Sequence, residues 1–360
     1  MVFIGGPRQV GKTFLAREFL TSDKALEQAY FSWDDLKDRE LLKKHLLPKD
    51  QPLLIFDEIH KYQRWRTLLK GLYDKRSRSQ EILVTGSARL DQFRKGGDSL
   101  FGRYHYIRLH PLSLPELHSY FGAQSMDMLL RFGGFPEPLT RQTESFSKIW
   151  RRERTARVIY EDLRDLTNLR NYSSIELLAD ALPQRVGSLL SLNSLGEDLE
   201  RSSHTIRQWM EVLESVYLCY RVYPYGPPRI RAVKKQAKAY LWDWSSVENL
   251  GPRFENCVAS HLLKYCHFVE DTQGDQMDLR FLRDHFDREI DFVVLKNKKP
   301  IFAVEVKTGD RALSGSIRHF QGRVPIPKFY QVHLGQRDEG QAETGRILPF
   351  ATFCKLEGLV

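Results

Sequence analysis

The chain has 360 residues, 41% hydrophobic and 28% charged, with a formal net charge of +9. This is the composition of a soluble globular protein of two or three domains, and no apolar run approaches the roughly 20 residues that a membrane span needs. The positive balance admits an anionic partner such as DNA or another nucleic acid but does not locate it. The four cysteines, Cys219, Cys257, Cys266 and Cys354, form no C-x-x-C pair, which argues against zinc and disulfides and for a reducing cytoplasm.

Val2-Phe3-Ile4 reads as a short buried strand and Phe14 to Leu20 as a helix. Between them, Gly6-Pro7-Arg8-Gln9-Val10-Gly11-Lys12-Thr13 fits G-x-x-x-x-G-K-[ST], a phosphate-binding loop in its required strand–loop–helix setting. Gly6 and Gly11 allow the backbone to wrap phosphates with its N–H groups, and the helix start at Phe14 adds a positive end. Lys12 is placed to reach the β- and γ-phosphates of ATP, and the Thr13 hydroxyl to ligate Mg2+. The chain enters the loop abruptly, without a signal peptide, which points to residues upstream or a trimmed terminus.

Ala29 to Trp33 reads as a second strand. Pro52 to Phe56 is a long apolar run ending in Asp57-Glu58. At the carboxyl end of a buried parallel strand, Asp57 suits magnesium and Glu58 suits orienting or deprotonating the attacking water. Glu81 to Ala88 is another apolar strand, whose end offers Thr85 or Ser87 as a polar sensor of the γ-phosphate; Ser87 is favoured. Arg103 precedes a last strand, Tyr104 to Leu109. It is either a surface arginine or, in a homo-oligomer, one that reaches a neighbour's γ-phosphate in trans.

Gly6 to Thr13, Leu54 to Ile59, Val84 to Ala88, Leu100 to Arg103, Pro111 to Leu114 and Gly133 to Glu137 occur in that order. Together they closely resemble the AAA-type ATPases of bacteria and archaea that carry a C-terminal domain of unknown function. The resemblance covers nearly the whole chain. It implies an AAA+ core using ATP and Mg2+, with Gly6, Gly11, Lys12 and Thr13 on the nucleotide, Asp57 and Glu58 on metal and water, Ser87 as sensor and Arg103 as the trans arginine. His60 departs from the glutamine expected after Asp-Glu-Ile.

Pro111 to about Arg170 reads as helical, interrupted at Gly133-Gly134-Phe135-Pro136, and in this fold a helical lid is expected there. Arg151, Arg152, Arg154 and Arg157 read as a solvated helix face. Leu192 to Leu199, Ile206 to Glu214 and the strand Val216 to Val222 give helix, turn, helix and wing, a winged-helix pattern. Arg229, Arg231, Lys234, Lys235 and Lys238 follow it and could grip phosphates. DNA contact and packing between domains both fit this segment.

After Pro252, a helix carries Glu255, and a hairpin through Asn297 joins Glu289–Leu295 to Ile301–Lys307. Glu305 and Lys307 are two apart on one strand and point the same way. Asp291, then Glu305-Val306-Lys307, with Glu255 on the helix, resemble the PD-(D/E)xK pattern of restriction-type nucleases. That resemblance implies that Glu255, Asp291 and Glu305 bind Mg2+ and that Lys307 assists catalysis. The same fold with silent carboxylates is the alternative.

The expected fold is therefore α/β. A parallel-sheet AAA+ core spans 1–115, a helical lid 116–170, a winged-helix-like connector 171–250 and a restriction-endonuclease-like domain 251–360.

Overall fold

The structure, a computed structural model, describes residues 1–20, 28–48, 50–86, 100, 102–163, 171–226 and 236–360. It comprises two compact units: Met1–His110 with Ser215–Tyr217, and Pro111–Glu214 with Leu218–Val360. Ser87, Phe101, Arg229, Arg231, Lys234 and Lys235 lie outside the described residues.

The first unit is built on five parallel strands: β1 (Val2–Gly5), β2 (Tyr30–Ser32), β3 (Leu53–Asp57), β4 (Glu81–Thr85) and β5 (His105–Arg108). Their spatial order is β2-β3-β4-β1-β5. β3 and β4 carry consecutive apolar residues because both faces of this sheet are covered. Strand alternation sorts them. Phe3, Leu54, Phe56 and Val84 pack on one face with Trp65, Leu68 and Leu69 of the helix Trp65–Lys75, while Ile4, Ile55 and Leu83 pack on the other with Ala16. Because every strand runs the same way, the carboxyl ends of β1, β3 and β4 share one edge. The register sets Asp57 opposite Thr85, and Thr85 opposite Ile4.

The second unit centres on an eight-stranded mixed sheet. Its strands are β6 (Cys219–Pro224), β7 (Lys238–Leu241), β8 (Met277–Arg283), β9 (Glu289–Lys296), β10 (Lys299–Val306), β11 (Phe329–His333), β12 (Glu339–Gln341) and β13 (Gly345–Pro349). Their order is β12-β13-β11-β10-β9-β8-β6-β7. β9 and β10 form the expected hairpin. Asn297 and Lys298 both have positive φ, 51° and 68°, as a two-residue turn requires. One sheet face packs Ile290, Val293, Leu295 and Ala303 against Ile317 and Phe320. The long helix Leu250–Gln273 buries Phe254, Cys257, Val258 and Leu262.

Before the sheet come the helices Leu114–Phe121, Ser125–Phe132, Pro136–Arg141 and Glu144–Arg157, the last running into a π-helical turn at Val158–Asp162. Arg154, read as part of a solvated face, is instead buried, with its guanidinium over the Phe135 ring. The helix pair Leu192–Asp198 and Ser203–Ser215 forms as expected. The two strands that follow it pair with each other, and β6 continues parallel into β8, Tyr223 facing Arg280. The strand read as a wing thus belongs, with β7, to the edge of the C-terminal sheet. Val216 to Leu218 is a turn, with Tyr217 at φ 59°, and the strand begins at Cys219. All four cysteines are buried, and none is joined in a disulfide. Among the described residues, no helix is long and apolar enough to cross a membrane.

Candidate nucleotide-binding site and a buried carboxylate cluster

The phosphate-binding loop closes around its own lysine. Lys12 is buried, and its Nζ donates to the carbonyls of Pro7 at 2.7 Å and Gly6 at 3.1 Å. Gly6 has φ 140°, and a Cβ there would lie 2.2 Å from the Leu109 carbonyl oxygen, so only glycine fits. Gln9 and Gly11 also take positive φ, 64° and 102°, which curls the chain. Val10 is buried beneath the loop, and the Gln9 Oε1 is buried without a hydrogen-bond partner. Arg8 is half-buried. The Phe14 side chain is exposed at the start of the helix that follows the loop.

Asp57 ends β3 beside this loop. Its Oδ2 accepts from the Thr13 hydroxyl at 2.8 Å and from the Tyr30 hydroxyl at 2.6 Å, and its Oδ1 accepts from the Thr85 hydroxyl. Thr85, one of the two candidate sensors, thus bonds Asp57, and Tyr30, which no local motif marks, joins it from β2. Burial, with Asp57 beside it, pushes the Tyr30 phenol well up, so it stays a donor. Glu58 follows with φ 53°, a left-handed conformation that costs a non-glycine residue energy and turns the chain out of the sheet. Its N–H donates to the Thr85 carbonyl, and its Oε2 lies 3.5 Å from both Lys61 Nζ and His60 Nε2. Burial raises the Glu58 pKa, while Lys61 and Lys12 pull it back.

A bound Mg2+ fits this arrangement. It needs only one or two protein oxygens when the nucleotide phosphates supply others, and Asp57 with the Thr13 hydroxyl provides them. Arg103 is not brought to the site. It sits before the amino end of β5, opposite the carboxyl-edge loop; its Nε pairs with Asp74 at 3.0 Å and its carbonyl accepts from the Met1 ammonium.

In the second unit the structure does gather Glu255, Asp291, Glu305 and Lys307. Lys307 Nζ donates to Glu305 Oε1 at 2.7 Å, and Asp291 Oδ2 accepts from the Val306 N–H at 2.8 Å. Lys238, expected among the cations that could grip phosphates, is instead buried in this cluster, and Tyr240 and Glu289, which the sequence pattern did not single out, belong to it too. Lys238 Nζ is 2.5 Å from Glu289, 3.3 Å from Glu255 and 3.6 Å from Asp291, and the Tyr240 hydroxyl donates to Glu255 at 2.7 Å. Burial alone would lower the Lys238 pKa, but Glu255, Asp291 and Glu289 outweigh it and raise it. Burial, with the Asp291 charge nearby, pushes Glu255 and Glu305 up to about 7, and burial raises Asp291. Among the described residues, no three His, Cys, Asp or Glu side chains are disposed to hold one metal ion. Mg2+ does not fit the cluster, because an ammonium lies among its carboxylates.

These shifts set a pH dependence. Glu255 and Glu305 bind protons more tightly folded than unfolded, so their contribution to stability is intact below pH 4.5 and falls away as pH rises through about 7. Thermal melts from pH 5 to 8 should show a smaller decline in Glu305→Gln than in wild type. Equal slopes would remove Glu305 from the effect.

Comparison with known proteins divides the chain in three. Residues 1–118 match the family model described as an AAA domain. Residues 123–251 and 250–353 match two domains of unknown function (DUF8612 and DUF4143). An uncharacterized protein of Haemophilus influenzae is 26% identical over 319 residues, covering 78% of each chain. One from Methanocaldococcus jannaschii is 23% identical over 363 residues, covering 92% of this chain and 80% of its own. Among solved structures, the Aeropyrum pernix ORC1 protein in complex with DNA aligns over 72% of this chain and 87% of its own, at 13% identity and a TM-score of 0.31. The stretch that is similar to AAA domains is thus the one that carries the parallel sheet, the loop and the Asp57-Glu58 pair.

Proposed function

We propose that the N-terminal unit binds ATP with Mg2+ and hydrolyses it, and that nucleotide state controls what the C-terminal unit binds. The supporting observation is the junction of loop and sheet edge: the loop around Lys12, with the Thr13 hydroxyl on Asp57 at 2.8 Å. In this reading Lys12 leaves the Gly6 and Pro7 carbonyls for phosphate oxygens. The N–H groups from Pro7's successor to Phe14 wrap the phosphates. A Mg2+ ion held there would offset the negative charge of the phosphates. Thr13 and Asp57 hold its position, and Glu58 orients the water and takes its proton. Ser87 as sensor and Arg103 acting in trans within a homo-oligomer complete the reading.

The test is turnover. Wild type should release phosphate from ATP only while Mg2+ is free, and Thr13→Ala should lower kcat/KM by about 10- to 100-fold, the worth of one hydrogen bond to a charged group. Turnover unaffected by chelation or by this variant would remove the metal role of Thr13.

For the C-terminal unit the candidate outputs are cleavage of nucleic acid and binding without cleavage. The chain's net charge of +9 admits a polyanionic partner but does not assign one to this unit. Binding without cleavage is favoured by the Lys238 ammonium, which lies among the carboxylates that would otherwise take a metal. This reading predicts no nicking of linear, circular or single-stranded DNA with Mg2+ and ATP.

A further inference from the structure

Asp57 sits at the carboxyl edge of the first unit's sheet, and β2 brings it a donor from outside the loop. We propose that Tyr30 is the positioning residue of Asp57: its hydroxyl, together with that of Thr13, occupies Asp57 Oδ2, so that the carboxylate can give a divalent ion one oxygen and not two, which selects Mg2+ over Ca2+. The proposal deepens the reading of ATP binding with Mg2+ and rests on it.

Three observations carry it. First, the register dictates the contact. β2 pairs with β3 so that Tyr30 lies opposite Ile55, and alternation then puts Tyr30 and Asp57 on one face of the sheet. A tyrosine is long enough to reach along that face to the strand tip, and its hydroxyl meets Oδ2 at 2.6 Å. Second, the ring is held. It packs against the buried cluster of Ile4, Ala16, Ile55 and Leu83, and the Arg17 guanidinium lies over it, 5.7 Å from its centroid. Third, the carboxylate is nearly saturated. Each of its oxygens has two lone pairs. Thr13, at 2.8 Å, and Tyr30 take both on Oδ2, and Thr85 takes one on Oδ1. Among the described residues, this leaves one lone pair, on Oδ1.

The consequence is chemical. Gripping an ion with both oxygens needs an open lone pair on each, and Oδ2 has none while both hydroxyls are in place. Thr13 does not achieve this alone, because its single donation would leave a lone pair on Oδ2. Donating that proton still leaves the lone pairs of the Thr13 oxygen for the ion. Ca2+ takes more oxygens than Mg2+, at longer distances, and readily accepts both from one carboxylate, whereas Mg2+ demands a tight octahedron. Tyr30 therefore acts through Asp57 without touching the ion, as hydrogen-bonding partners of a ligating carboxylate do.

The experiment titrates a non-hydrolysable ATP analogue into the full chain by calorimetry, once with Mg2+ and once with Ca2+. Tyr30→Phe keeps the ring and removes the hydroxyl. Its affinity with Ca2+ should rise about 10-fold relative to that with Mg2+, the worth of one hydrogen bond to a charged group. A variant that keeps the wild-type ratio of the two affinities would overturn the proposal, and so would one weakened equally with both metals, which is what a purely structural tyrosine would give. If circular dichroism shows Tyr30→Phe unfolded, wild type decides: tighter binding with Mg2+ than with Ca2+ supports the proposal, and equal binding overturns it. A wild type that binds the analogue with neither metal sinks the ATP reading and this proposal together, whereas binding with an unmoved ratio sinks this proposal alone.

Discussion

Glu58→Gln should bind ATP with near wild-type affinity and turn it over about 10²- to 10⁴-fold more slowly, the usual contribution of a positioned general base. The amide keeps the shape and the left-handed backbone of Glu58 but cannot accept the proton of the attacking water. Binding survives because the phosphates are held elsewhere, by the loop and by Lys12. The surroundings of Glu58 suit the proposed role. Burial raises its pKa while Lys61 and Lys12 oppose the rise, so the carboxyl stays ionisable yet more basic than an exposed glutamate. Its strained φ of 53° directs the side chain away from the sheet at the edge where Asp57 and Thr85 meet. Single-turnover and steady-state phosphate release, with a parallel binding titration, separate the two effects. Turnover at the wild-type rate would assign the base to another residue.

Lys238→Met should destabilise the chain by about 3–5 kcal/mol in metal-free buffer, the cost of breaking a buried ion pair by removing one partner. Methionine retains an apolar stem of similar length and removes the charge. Glu255, Glu289 and Asp291 then repel one another with no cation between them. The carboxyls relieve part of this by taking up protons, so the loss should be smaller at pH 5.5 than at pH 8. Denaturant unfolding at the two pH values measures it. A loss of under about 1 kcal/mol at both would show that the ammonium contributes no more than a surface charge.

The candidate nucleotide site was legible because its information is local. Gly6 to Thr13 specify a loop conformation within eight consecutive residues, and an apolar run ending in Asp57-Glu58 specifies a buried strand with carboxylates at its tip. Tyr30 was not legible, because its role depends on β2 lying beside β3, a pairing that no local pattern announces. The place of Arg103 could have been read: a residue that precedes a parallel strand lies at the edge opposite a carboxyl-end site.

In the second unit, Asp291, Glu305 and Lys307 were recoverable from order and alternation, and Glu255 only from the resemblance to the PD-(D/E)xK pattern. Glu289, two residues before Asp291 on the same strand, shows the same alternation and was overlooked. Lys238 carried no such signal. It reaches the cluster only because β6 and β7 join the C-terminal sheet through Tyr223 and Arg280, a contact between residues far apart in sequence.

The most direct measurement is calorimetric titration of ATP with Mg2+ into wild type and Lys12→Ala. One site per chain in wild type, weakened about 10- to 100-fold by loss of the Lys12 ammonium, is the expected result. No heat of binding in wild type, or equal affinity in the variant, would contradict the account.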